Sequence, residues 1–213
     1  MPEDFSFRGT DFTVWDEPDP KVGRVLAELE SPGQWSIFRW GSEGPLSGDD
    51  LSAQLAEIEE SGYDSVTEMT ELTETEALRE FHLDPTAQPA TTAAQLSKPL
   101  DIEGLLSAHG GTWMAVRAES FRIPALLEWD GADNAGSRAA LSLVLARWHR
   151  LWGAEVVGLS DTDRATLTLV VVNPPTDEPH RSAYRAELAA ACDDLEQLNA
   201  PNTASDVFQL WWD

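Results

Sequence analysis

The sequence predicts an α+β fold: a C-terminal ferredoxin-like split β-α-β sheet with two helices on one face, preceded by a smaller N-terminal α/β domain. Three observations carry this reading. Residues 112–212 run strand, helix, strand, strand, helix, strand, whereas residues 19–81 alternate helical and extended patterns. Between them, Asp84 to Pro99 holds three prolines and no aromatic residue in sixteen positions. Such a stretch has too little apolar surface to order itself, so it reads as a linker. The expected division is therefore 1–83, linker 84–99 and 100–213.

In the first part, Asp19-Pro20 suits a helix start, and Val22, Val25, Leu26 and Leu29 recur at helical spacing. Gln34 to Trp40 is aromatic and β-branched, which predicts a strand. Ser47-x-x-Asp50 opens a helix carrying Leu51, Leu55 and Ile58, and Gly62 closes it. Tyr63 to Met69 is assigned as a short strand. Thr73-x-x-Glu76 is a capping-box start for a short helix with Leu78 and Phe81.

In the second part, Thr112 to Ala118 reads as a strand and Phe121 to Trp129 as a short helical turn. Ser137 can cap a helix whose Leu141, Val144, Leu145, Trp148, Leu151 and Trp152 share one face, with Gly153 ending it in a left-handed conformation. Strands follow at Glu155–Leu159 and Thr166–Val172, joined by a polar turn. A helix from Ser182 to Leu198 and a strand from Asp206 to Trp212 complete the set.

Thirty-eight acids face fourteen bases, a formal net charge of −24. The excess is spread over both halves, with 21 acids against 6 bases in residues 1–100 and 17 against 8 beyond. That field repels phosphate backbones and disfavours nucleic acid as a partner. It leaves a solvated or salt-adapted surface, or docking to a basic protein. No apolar run approaches the ~20 residues that span a bilayer, so no membrane segment is expected. The start of the chain has no signal-peptide pattern, and Cys192 has no second cysteine to pair with. Both fit a cytoplasmic location, with Cys192 a small buried hydrophobe on a helix and not a reactive thiol.

Leu126-Leu127-Glu128-Trp129 and the run from Ala146 to Leu159, centred on Trp148-His149-Arg150-Leu151-Trp152-Gly153, resemble an uncharacterised bacterial family. Thr166 to Val170 before Pro174-Pro175, Ala191-Cys192-Asp193 and the terminal Trp211-Trp212-Asp213 extend the likeness. The family is the domain-of-unknown-function family numbered 4253, resembled over about residues 113–213. This sequence departs from the family pattern after Cys192. The resemblance implies no activity, and residues 1–99 resemble no family.

The sequence carries no specific catalytic or cofactor signature. There is no phosphate-cradling glycine loop and no Gly-x-Ser-x-Gly elbow. His82, His109, His149 and His180 are scattered and have no partner cysteine, so no metal site is assigned. Asp161 and Asp163 fit a plain turn better than a calcium loop. No catalytic residue and no cofactor is assigned.

The candidate binding residues are Trp129, Trp148, Trp211, Trp212 and Asp213, with Arg147 and Arg150. On a strand, Trp211 and Trp212 must face opposite sides, so only one enters the core under the Leu145–Trp148 helix. The preferred function is a non-enzymatic, immunity-like module that binds a basic protein. The alternative is an enzyme whose inter-domain cleft draws in a small anionic substrate through Arg147, Arg150, Arg181 and Arg185. A salt-adapted housekeeping protein is the third.

Overall fold

A computed structural model describes residues 2–15, 35–41, 48–87, 89, 111–160, 165–198 and 205–213. Its strands are β1 (Pro2–Phe7), β2 (Thr10–Trp15), β3 (Ser36–Gly41), β4 (Thr112–Val116), β5 (Ala154–Ser160), β6 (Ala165–Val171), β7 (Asp194–Leu198) and β8 (Asp206–Trp212). The α-helices are α1 (Gly48–Ser61), α2 (Ser65–Glu71), α3 (Glu74–Glu80), α4 (Ile123–Leu126), α5 (Arg138–Trp152) and α6 (Glu178–Ala190). A short 3₁₀ turn, Ser120–Arg122, precedes α4. The helix expected at Asp19–Leu29 and the Asp161–Asp163 turn lie outside the described residues, as does most of the linker.

The eight strands of the described residues form one mixed sheet in the order β1-β2-β4-β3-β5-β6-β8-β7. This corrects the split β-α-β expectation. That arrangement would seat β4 between β6 and β8, but β4 lies between β2 and β3, both from the N-terminal part, and β3 leads on to β5. Strand β3 pairs antiparallel with β4 and parallel with β5, where Arg39 lies opposite Gly158. Strands from residues 1–83 and from 100–213 therefore share one hydrogen-bonded sheet, which crosses the expected linker boundary.

Local chemistry explains most elements. Ser137 caps α5 by accepting from the Ala140 amide, and Gly153 ends it at φ 65°, donating to the His149 carbonyl at 2.8 Å. Thr73 and Glu76 form the complete capping box of α3. The β1–β2 hairpin was not foreseen. Its two-residue connection, Arg8-Gly9, has positive φ at both positions (50° and 74°), the twist that a tight hairpin requires. Phe5 and Phe12 stack across it with ring centroids 5.2 Å apart.

Two segments differ from expectation. Tyr63–Met69 is not a strand: Asp64 accepts from the Thr67 amide at 3.1 Å and starts α2. The last helix is shorter and earlier than Ser182–Leu198. Asp177 caps it, Pro179 lies in its first turn and it stops at Ala190, after which residues 194–198 form β7. Leu195 and Leu198, three apart, would share a helix face. On a strand they point to opposite sides, and they pack against different core clusters.

The larger cluster joins α5 and α6 to one face of the sheet through Trp148, Trp152, Tyr184 and Leu188. The smaller lies on the other face, around Trp15, Trp113, Val157, Val170 and Val207.

Candidate functional site

Among the described residues, three polar groupings bear on function, each built by parts of the chain distant in sequence. At the first, α4 ends and the backbone passes through Glu128 at φ 47°, a left-handed conformation that non-glycine residues seldom adopt. The Glu128 side chain is 3% exposed. It accepts from Arg8 Nη1 at 2.5 Å, from the Ser65 amide at 2.9 Å and from the Ser65 hydroxyl. Arg138 Nη1 stands 3.7 Å away, while its Nη2 donates to Asp133 at 3.0 Å. Arg8 Nη2 also donates to the Tyr63 carbonyl. Glu128 thus ties the hairpin, α2 and α5 together. Above it, the Arg138 guanidinium lies 5.2 Å from the centre of the Tyr63 ring, which is 62% exposed.

At the second place stand two of the expected binding arginines. Arg147 is 8% exposed. It donates to Glu187 at 3.2 Å, to Glu74 at 3.0 Å and to the Ala87 carbonyl at 3.1 Å. Arg150 donates to the other oxygen of Glu74 at 2.6 Å. Burial opposes the charged form of Glu74, but hydrogen bonds and charge from Arg150 and Arg147 outweigh it and hold the carboxyl below its ordinary range. Arg181 is not part of this group: it forks onto Asp206 at 2.9 and 3.0 Å. Arg185 donates to Gln197 at 2.7 Å.

The expected tryptophans mostly lie inside. Trp148 is buried and donates its Nε1 to Glu187 at 3.0 Å. Trp129 and Trp212 meet edge to face, 5.8 Å apart, and Trp212 donates to the Ala191 carbonyl at 3.0 Å. Trp212 therefore enters the helix-covered core, and Trp211 faces the other side of the sheet, half-buried. Asp213 is exposed, with its carbonyl accepting from Asn134 at 2.6 Å and its amide donating to Asp193 at 3.0 Å.

The third place was missed in the sequence. His149 Nδ1 lies 3.1 Å from Glu155 Oε1 and 3.2 Å from the Ala154 carbonyl, and the Ser120 hydroxyl donates to Glu155 Oε2. No spacing signals this grouping, because the reversal at Gly153 and the return of the 120s create it. The order is serine, carboxylate, histidine. A nucleophilic triad instead sets the histidine against the hydroxyl, and Ser120 is buried. Cys192 is half-buried at the end of α6, and burial pushes its thiol up to about 11.

Among the described residues no group of three His, Cys, Asp or Glu side chains converges to hold a metal ion, and no helix is long and apolar enough to cross a membrane. No curated protein and no solved structure matches the chain. Residues 114–213 match the model of the family described as Domain of unknown function (DUF4253), the family that the motifs between Leu126 and Asp213 resemble.

Proposed function

We propose that this protein is a non-enzymatic binding or regulatory module, immunity-like, that docks a basic partner protein. The observation that supports it most is the disposition of charge. The arginines suited to attract an anionic substrate are engaged within the fold: Arg147 and Arg150 by Glu74 and Glu187, and Arg181 by Asp206. Residues 48–84, in contrast, hold twelve carboxylates against one base, Arg79, and ten of the twelve are exposed. Such a surface steers a cationic protein and repels an anionic one. Tyr63, exposed at the rim and backed by Arg138, supplies an aromatic anchor of the kind that dominates interface energies.

Affinity purification from the native host at low and high salt tests this reading. A stoichiometric basic protein is expected, released as salt rises and weakened by Tyr63→Ala. Recovery of no stoichiometric partner under either condition rejects it.

A further inference from the structure

Helix α5 and strand β5 meet at a corner made by Gly153, and the segment from Glu119 to Leu126 lies against that corner. A single carboxylate joins the two. Glu155 Oε1 faces His149 Nδ1 at 3.1 Å, and Oε2 accepts from Ser120. The Ser120 oxygen accepts in turn from the Val156 amide at 3.1 Å, and the Phe121 ring lies 5.6 Å from the imidazole. Nδ1 is flanked by two acceptors, Glu155 and the Ala154 carbonyl. It must therefore carry a hydrogen, and Nε2 is the nitrogen that titrates.

We propose that His149, Glu155 and Ser120 form a proton-dependent clasp, which holds the Glu119–Leu126 segment to the α5–β5 corner. With His149 cationic, its bond to Glu155 is charge-assisted and fixes the carboxylate that anchors Ser120. Loss of the proton removes the imidazolium charge and leaves the weaker bond of a neutral imidazole N–H to the carboxylate.

The charged groups acting on the imidazole are anionic: Glu155 on β5 and Glu119 ahead of the 3₁₀ turn. Its neighbour on α5, Arg150, is turned to Glu74. Hydrogen bonding to Glu155 favours the cation, burial opposes it, and the charges of Glu155 and Glu119 add to the former, so the pKa stands above the ordinary 6.5. A raised histidine stabilises fully below about pH 6.5, and the contribution is lost as pH rises through the folded value. The clasp is therefore closed in mild acid and loosens on the alkaline side. This holds whether or not the surface around Tyr63 binds a partner.

Hydrogen exchange with NMR tests the clasp in the intact chain. The readouts are the amides of Arg122, Leu127 and Val156, which donate to Glu119, Ile123 and Ser120. Corrected for intrinsic pH dependence, their protection is expected to fall about threefold or more between roughly pH 6 and 8.5. The midpoint should coincide with the His149 titration, while amides of β8 stay constant. Glu155→Gln should lower that midpoint, and His149→Gln should abolish the dependence. Flat protection through the His149 titration in the wild-type protein overturns the proposal, as does an unchanged pH dependence in His149→Gln. The wild-type measurement decides even if neither variant folds.

Discussion

Arg8 and Glu128 stand 120 positions apart in sequence, and Nη1 of the first lies 2.5 Å from Oε1 of the second. One residue closes a hairpin turn and the other ends α4, and both have positive φ. Holding unfavourable backbone at both ends of one ion pair requires the surroundings to over-determine it. Removing one member strands the other, so Glu128→Gln is expected to destabilise the fold by about 2–4 kcal/mol. Arg8→Met should cost at least as much, because it strands Glu128, the more buried partner. A double-mutant cycle by urea denaturation measures the coupling, and a loss under about 1 kcal/mol for Glu128→Gln contradicts this assignment.

Glu74 links α3 to α5 through Arg147 and Arg150. Its carboxyl is held below the ordinary 4.5, so its contribution is present above that pH and lost as pH falls through the lower, folded value. The stability gap between wild type and Glu74→Gln is therefore expected to be constant near neutrality and to shrink below about pH 4.5. Thermal melts at several pH values check this. A gap that widens in acid contradicts it.

Gly153 sits at φ 65°, and an added Cβ would lie 3.2 Å from Asn173 Nδ2. Gly153→Ala should cost about 1–2 kcal/mol from the left-handed backbone alone. It should also disturb the corner at which His149 meets Glu155. Denaturation midpoints with an unchanged m-value provide the measurement.

Cys192 should react slowly. With burial pushing its thiol up to about 11, little thiolate exists at neutral pH. Labelling by a disulfide reagent at pH 7.5 is expected to be at least about tenfold slower than for free cysteine, and to reach that rate in denaturant. Fast labelling of the folded protein would contradict the half-buried placement.

The sequence by itself determined those elements whose chemistry is local. Ser137 and Gly153 bound α5, and Thr73 with Glu76 opens α3, because a cap is a hydrogen bond within one turn. Alternation along β8 also required Trp211 and Trp212 to part, and they do. The family likeness was legible too, in motifs from Leu126 to Asp213 that lie within the matched residues.

Tertiary structure alone decided the rest. Apolar spacing could not distinguish a long last helix from a helix followed by β7, since Leu195 and Leu198 suit a helix face by themselves; pairing with β8 settles the matter. Nor could spacing place β3 between β4 and β5, since open strand edges are satisfied by any neighbour of compatible length and direction. The polar clusters depend on the same step. Arg8 meets Glu128, Arg147 meets Glu74 and His149 meets Glu155 only after the sheet and α5 are assembled. Charge pairing acts over a few ångströms of space, whatever the separation along the chain.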